Sequence, residues 1–314
     1  MRDFFRVWML ALVVSALAGC AGDSDGDDQP AAESPAAETA SPSTANQGIT
    51  VEGFSGPESA LHDPAADVYL VSNLDGQPAA KDGNGFISRV SPAGEIVELR
   101  WIDGASEGVT LNAPKGMALL GDTLLVADIE HVRLFDRVSG APIGTWAVDG
   151  ATFLNDVTVS PGGTVYASDT GVRFEGGERE DTGTSGIHAF AADGSRRTVD
   201  TSDLTGINGL AAAGNRLYGV SSGSGRIFVI EDGILGDLPE LPGLGLDGIV
   251  VTDRGLLISD WDTEAVYLLR ENGSVSAVVR NVTSPADIGI DRRRDRLLIP
   301  GLTTDQLLLA PLGL

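Results

Sequence analysis

From Glu58 to the C-terminus, the chain alternates short apolar runs with tight turns. Each unit has a turn-like entry, an apolar run, a turn rich in Gly, Pro, Asn or Asp, and a second apolar run. Short apolar runs bounded by these turn residues predict β-hairpins rather than helices. The unit recurs at intervals of roughly 40 to 55 residues, a blade length typical of β-propellers. The six units begin at Glu58, Lys115, Asp156, Asn208, Asp247 and Asp287. The pattern therefore predicts an all-β, six-bladed propeller.

The two ends of this domain are predicted to lie in one sheet. Each of the first five units has enough chain for a full blade, whereas the last one is cut short by the end of the chain at Leu314. The strand-like segment 49–54 precedes the first unit and has no other obvious partner. Its pairing with the last unit would close the ring and remove an exposed sheet edge. We therefore predict one propeller domain over residues 49–314, closed by an N-terminal strand.

The N-terminus has the pattern of a bacterial lipoprotein signal. Arg2 and Arg6 precede an apolar run at 7–17, which is too short to cross a bilayer core of roughly 30 Å as a helix. The run ends in Leu-Ala-Gly before Cys20, the only cysteine of the chain. This pattern predicts a signal peptide over residues 1–19, cleavage before Cys20 and lipidation of that residue. The protein is then exported and anchored in the cell envelope, and Ala21 is typical of outer-membrane sorting in Gram-negative bacteria.

Composition and charge define the next segment and exclude some partners. Residues 20–48 are dominated by small, polar and acidic side chains and contain no aromatic residue, which predicts a disordered acidic linker. The net charge of −24 argues against nucleic-acid binding, which needs basic patches. The segment 243–248 spells a dinucleotide fingerprint, but a strand-like run follows it where that motif needs a helix. We therefore predict neither a nucleic-acid nor a nucleotide partner.

Residues that enter the innermost strands converge at one mouth of a propeller channel. The six unit starts are such residues, and Asn155 lies beside one of them. Carboxylates and amides gathered on a rigid scaffold are hard oxygen ligands, suited to Ca²⁺ or Mg²⁺. The alternative is that each Asp or Asn only caps a turn, as these residues often do.

Four motifs in this order resemble the senescence-marker-protein/gluconolactonase/luciferin-regenerating-enzyme propellers, the regucalcin-like family. They are Gly56-Pro57-Glu58-Ser59, Leu154-Asn155-Asp156-Val157, Ile207-Asn208-Gly209-Leu210 and Leu246-Asp247-Gly248-Ile249. The resemblance implies one catalytic divalent cation, Ca²⁺ as the first expectation and Zn²⁺ as the alternative. It implies that Glu58, Asn208 and Asp247 are metal ligands, and that Asn155 is a fourth ligand or a substrate contact.

Two functions are predicted as alternatives. The first is an envelope-anchored, metal-dependent hydrolase of a small-molecule lactone or ester, in which Asp247 is a ligand and also the catalytic base or nucleophile. Lys115 would orient an anionic substrate or neutralise the carboxylates. Phe153 stands where sugar lactonases of the family tend to carry Arg, which counts against sugar-acid lactones. The second function is a non-catalytic propeller that binds a ligand or a protein at the envelope.

Overall fold

The computed structural model describes residues 48–201 and 203–313, and these residues form strands and turns without a helix. The strands run from β1 (Ile49–Glu52) to β26 (Gln306–Pro311) and form six four-stranded sheets and one separate hairpin. Accordingly, the described part of the chain has no helix long and apolar enough to cross a membrane. The predicted signal peptide, the lipidated Cys20 and the linker up to residue 47 lie outside the described residues.

The four-stranded sheets are antiparallel blades whose strands follow one another outward from the channel. Blade 1 comprises β2 (Pro57–Asp63), β3 (Val68–Asn73), β4 (Phe86–Val90) and β5 (Ile96–Asp103); blade 2 comprises β6 (Pro114–Leu120), β7 (Thr123–Asp128), β8 (His131–Asp136) and β9 (Pro142–Ala147). Blade 3 comprises β10 (Leu154–Val159), β11 (Val165–Asp169), β14 (Gly186–Phe190) and β15 (Arg196–Val199), and the hairpin β12 (Val172–Glu175) and β13 (Glu178–Asp181) is inserted into it. Blade 4 comprises β16 (Ile207–Ala213), β17 (Arg216–Ser221), β18 (Ile227–Glu231) and β19 (Ile234–Asp237); blade 5 comprises β20 (Leu246–Thr252), β21 (Gly255–Asp260), β22 (Ala265–Leu269) and β23 (Val275–Arg280). Blade 6 comprises β24 (Gly289–Asp291), β25 (Arg296–Gly301), β26 and β1. The predicted all-β, six-bladed propeller is confirmed.

Blade 6 is completed by the N-terminal strand and is hydrogen-bonded to blade 1 near the channel. The outermost strand of blade 6 is β1, in which Val51 lies opposite Leu307 of β26. Near the channel, Asp287 N donates to Glu58 O at 2.9 Å, and Ala60 N donates to Asp287 O at 3.3 Å. Val51 also packs in the apolar layer between blades 6 and 1.

The hydrophobic core consists of apolar layers between neighbouring blades. Each blade contributes both of its faces, because successive side chains of a strand point to opposite sides of the sheet. In β3, Leu70 packs toward blade 2, whereas Tyr69 and Val71 pack toward blade 6. Since both faces of the inner strands are buried, those strands are almost continuously apolar, which is why the sequence shows runs rather than strict alternation.

Candidate functional site

A bulge at the start of each innermost strand defines the site. In blades 1 to 5, the pairing of the first strand with the second shifts by one residue at the same place. The shift leaves two consecutive residues in the bulge, which redirects their side chains toward the channel mouth. We call the first of them the entrance position. It is occupied by Glu58, Lys115, Asn155, Asn208 and Asp247.

This register corrects part of the sequence alignment. Asn155, and not Asp156, is the equivalent of the entrance residues in blades 1, 2, 4 and 5. Asp156 occupies the second bulge position, as does Asp287 in blade 6, where Ala286 takes the entrance position. The repeat could not distinguish these positions, because both residues of the Asn155-Asp156 pair are polar.

The second bulge position is glycine in three blades, since the next blade approaches closely there. A Cβ at Gly116 would overlap Asp156 Oδ1, and a Cβ at Gly248 would overlap the backbone of Asp287 and its neighbour. The glycines thus let adjacent blades close around the channel and bring the entrance residues near one another.

Two carboxylates of this second position are held by hydrogen bonds. Asp156 accepts from Val157 N and from Leu210 N of the next blade, both at 2.6 Å. Ser59 Oγ donates to Asp287 Oδ2 at 2.5 Å. These contacts join neighbouring blades and give both side chains a structural role.

The acidic side chains at the mouth interact electrostatically. Burial raises the pKa of Glu58 well above its usual value, the charges of Asp247 and Asp287 raise it further, and Lys115 opposes them. Burial and Asp287 raise the pKa of Asp247 to about 8, and burial raises that of Asp287 to about 7. Burial and Asp287 also raise the pKa of Asp156. The causes of these shifts are the burial of the carboxylates and their proximity to one another.

Two oxygens in this group have no hydrogen-bond partner among the described residues. They are Glu58 Oε2 and Asp247 Oδ1, and both are buried. The other oxygen of Asp247 accepts from Trp261 Nε1 at 2.8 Å, which fixes the orientation of the carboxylate. Buried polar atoms are nearly always satisfied, so these two carboxylate oxygens are suited to accept a proton or a cation. Sequence reasoning missed this role of Trp261.

The two asparagines occupy equivalent entrance positions in blades 3 and 4. Asn155 Nδ2 donates to Thr170 Oγ1 at 3.0 Å, and Asn208 Nδ2 donates to Leu246 O at 3.5 Å. Because these contacts engage the amide nitrogens, the Oδ1 atoms are left for a ligand. Two carboxylates and two amides are a donor set that fits a hard divalent cation.

Within the described residues, no group of three or more His, Cys, Asp or Glu side chains is arranged to hold a metal ion. A cation at the entrance positions would therefore depend on amide oxygens as well as on Glu58 and Asp247. The donor set predicted from the motifs has this mixed composition.

Lys115 is the single cation at the entrance positions. It is 1% exposed, and its Nζ donates to Ala113 O at 3.0 Å and lies 4.2 Å from the ring centre of Phe153. Burial lowers its pKa to about 8, although the charge of Glu58 favours the ammonium form. The ammonium group thus acts electrostatically on Glu58 and makes a cation–π contact with the ring of Phe153.

The fold and the entrance residues define a class: a six-bladed propeller with carboxylates, amides and one lysine at one mouth of its channel. No family model matches the sequence, and no curated protein matches it. Among solved structures, a gluconolactonase from Xanthomonas campestris is similar, with 18% identity and a TM-score of 0.64 over 84% of this chain and 90% of that one.

Proteins with other activities share the fold. Virginiamycin B lyase from Staphylococcus aureus is 12% identical, with a TM-score of 0.56 over 84% of this chain and 98% of that one. A chain of a nidogen/laminin complex is 18% identical, with a TM-score of 0.57 over 72% of this chain and 80% of that one. At these identities the likeness concerns the fold, and at that level the resemblance to gluconolactonase-type propellers is confirmed.

Proposed function

We propose that this protein is a divalent-metal-dependent hydrolase of lactones or related esters. The observation that carries the proposal is the pair of orphaned, buried oxygens, Glu58 Oε2 and Asp247 Oδ1, at equivalent positions of two blades. The similarity in fold to a gluconolactonase supports the same reaction class.

In this proposal Glu58, Asn155, Asn208 and Asp247 hold the cation, Ca²⁺ or Zn²⁺. The bound cation supplies Lewis-acid polarisation of the substrate carbonyl. Asp247 would accept a proton from the attacking water at Oδ1, through the lone pair that is not directed at the cation, while Trp261 holds Oδ2 and keeps the side chain in place. Water adds to the acyl carbon, the acyl C–O bond breaks, and the ring or ester oxygen leaves as an alcohol after receiving that proton. Lys115 orients the carboxylate that develops in the product.

The test compares chelated and metal-loaded protein. Acid release from a panel of lactones and aryl esters should stop after chelation and recover with Ca²⁺ or Zn²⁺. Asp247→Asn should abolish turnover, because the amide cannot accept the proton, whereas the exposed Glu271→Gln serves as a matched control and should not change it. Full turnover of the Asp247→Asn variant, or activity that survives complete chelation, would refute the mechanism.

A second candidate is a non-catalytic binding propeller. It is favoured by Lys115, whose buried ammonium partly neutralises the acidic mouth without a metal ion. Calorimetric titration with Ca²⁺ separates the two functions. Micromolar binding that is lost in Glu58→Gln supports the hydrolase, whereas no binding to the wild type supports the binding module.

We also propose that Cys20 carries lipid and anchors the protein in the bacterial envelope. Support comes from the apolar segment and small residues that precede this cysteine. Radiolabelled fatty acid should be incorporated into the wild type and not into Cys20→Ser. Equal labelling of both proteins would contradict the anchor.

A further inference from the structure

An apolar cluster lies at the entrance end of blades 1, 2, 5 and 6. Its members, which we call the collar, are Leu74, Ala113, Ile129, Trp261, Ala286 and Leu302. Ala113 directly precedes an innermost strand, Ala286 takes the entrance position of blade 6, and the other four directly follow a second strand. All six therefore lie at the end of the blades that carries the entrance positions. All except Trp261 are buried.

Backbone hydrogen bonds hold the collar in place. Leu74 N donates to Gly56 O at 3.0 Å, Leu302 N donates to Ser284 O at 3.1 Å, and Trp261 N donates to Gly245 O at 2.9 Å. Each bond joins the loop after a second strand to the segment that leads into the innermost strand of the same blade. The collar is therefore part of the rigid ring, and Trp261 is its half-buried member beside Asp247.

Blade 3 completes this apolar surround with an aromatic pair. Phe153 precedes Asn155 by two residues and covers Lys115, and the ring of Phe174 on the β12–β13 hairpin lies 5.7 Å from that of Phe153. The β12–β13 segment is a regular antiparallel hairpin, in which Val172 lies opposite Asp181. Three threonine hydroxyls, at 2.9 to 3.0 Å from one another, tie its base to the loop before β10; they belong to Thr152, Thr182 and Thr184.

The collar and the aromatic pair of blade 3 thus place apolar side chains at the same end of the propeller as the polar entrance residues. A polyhydroxylated ligand would lose water from its hydroxyl groups against Phe153, Phe174 and Trp261, and each unpaired hydroxyl is costly to bury. An alkyl or aryl substituent would gain from the same contact. The polar entrance residues are then left for one compact polar group.

We propose that the mouth accepts compounds that combine a single carbonyl-containing ring or ester with an apolar alkyl or aryl substituent. Phe153, Phe174 and Trp261 are the residues that determine this specificity. The proposal deepens the hydrolase proposed above and rests on it for the reacting group, but ligand binding can be measured without turnover.

Binding of non-hydrolysable lactams tests the proposal. Calorimetry on the full chain with Ca²⁺ would compare 5-alkyl-pyrrolidin-2-ones of increasing chain length with a polyhydroxylated lactam. We expect the affinity to rise about two- to fourfold per added methylene until the apolar surface is covered, and the hydroxylated lactam to bind at least tenfold more weakly than the longest alkyl lactam.

Variants assign the effect to the aromatic residues. Phe174→Ser should flatten the dependence on chain length, whereas Ile234→Ser, at an exposed position of blade 4, should leave it unchanged. If Phe174→Ser lowers the melting temperature strongly, Phe174→Leu retains apolar surface and should keep most of the dependence.

The outcomes separate the two proposals. Lactam binding with the expected dependence, but no hydrolysis of the matching lactones, would reject the hydrolase and keep the apolar specificity. A flat dependence, tighter binding of the hydroxylated lactam, or no binding of either class would overturn the specificity.

Discussion

Replacement of Asp247 by Asn should stabilise the metal-free protein at alkaline pH. Burial and the charge of Asp287 raise the pKa of Asp247 from 3.8 to about 8. An acid with a raised pKa binds its proton more tightly in the folded than in the unfolded state. Its contribution to stability is therefore fully present below pH 4 and is lost as the pH rises from about 4 to about 8.

The size of this loss follows from the shift of the pKa. One pKa unit corresponds to about 1.4 kcal/mol, so the upper limit for Asp247 is about 6 kcal/mol at pH 9. Relaxation and water entry reduce the penalty of a buried charge, and we expect about 2 to 4 kcal/mol. For a domain of this size, that difference corresponds to a rise in melting temperature of roughly 5 to 15 °C. Asn keeps an oxygen that can accept from Trp261 Nε1, so packing is preserved.

The assay is thermal unfolding in chelator at pH 5, 7 and 9. The wild type should lose stability as the pH rises across this range, whereas Asp247→Asn should lose less and melt higher at pH 9. Glu271→Gln, at an exposed position, controls for the loss of a negative charge. Addition of Ca²⁺ should stabilise the wild type and not the variant, because a ligand raises the stability only of a folded protein that binds it. A lower melting temperature of Asp247→Asn than of wild type at pH 9 would refute this reasoning.

Three further predictions concern the scaffold. Deletion of residues 21–46 should leave the melting temperature nearly unchanged. Deletion of residues 21–55 should lower it by roughly 10 °C, because Val51 and further apolar surface are removed from the layer between blades 6 and 1. Equal melting temperatures of the two deletion variants would contradict a stabilising role of β1. Gly116→Ala should destabilise by about 2 kcal/mol or more, measured by denaturant unfolding, because its Cβ overlaps Asp156 Oδ1. Trp261→Phe should weaken Ca²⁺ binding about tenfold by calorimetry, because it removes the donor that orients Asp247; unchanged affinity would exclude this positioning role.

The repeat in the sequence predicted the fold because each blade buries two faces. Strands such as β3 must be apolar on both sides, and the turns between strands need Gly, Asp or Asn. Both signals are local, so six copies were visible without structural information. The blade count and the all-β class follow from them.

The site was only partly predictable, since its geometry depends on non-local features. The assignment of Asn155 to the first and Asp156 to the second bulge position depends on the pairing with β11, and the sequence does not show that pairing. Trp261 lies in a loop beside Asp247, and Phe174 lies on the inserted hairpin beside Phe153; neither position follows from the local sequence. The hairpin β12–β13 is rich in charged residues and therefore lacks the apolar alternation that marks the other strands.

The proposed cation site and the proposed apolar specificity depend on the same arrangement of residues. Four carboxylates, Glu58, Asp156, Asp247 and Asp287, interact with one another at the mouth, and the ammonium of Lys115 interacts with Glu58. Like charges in a poorly solvated region are tolerated only if protons or a cation neutralise them. In the proposed function, the apolar collar and the Phe153–Phe174 pair would limit water around this group, which would increase the electrostatic attraction for a cation and also disfavour hydroxylated ligands. Substitutions that open the apolar surround should therefore weaken Ca²⁺ binding and alkyl selectivity together, whereas substitutions of the entrance carboxylates should affect the cation alone.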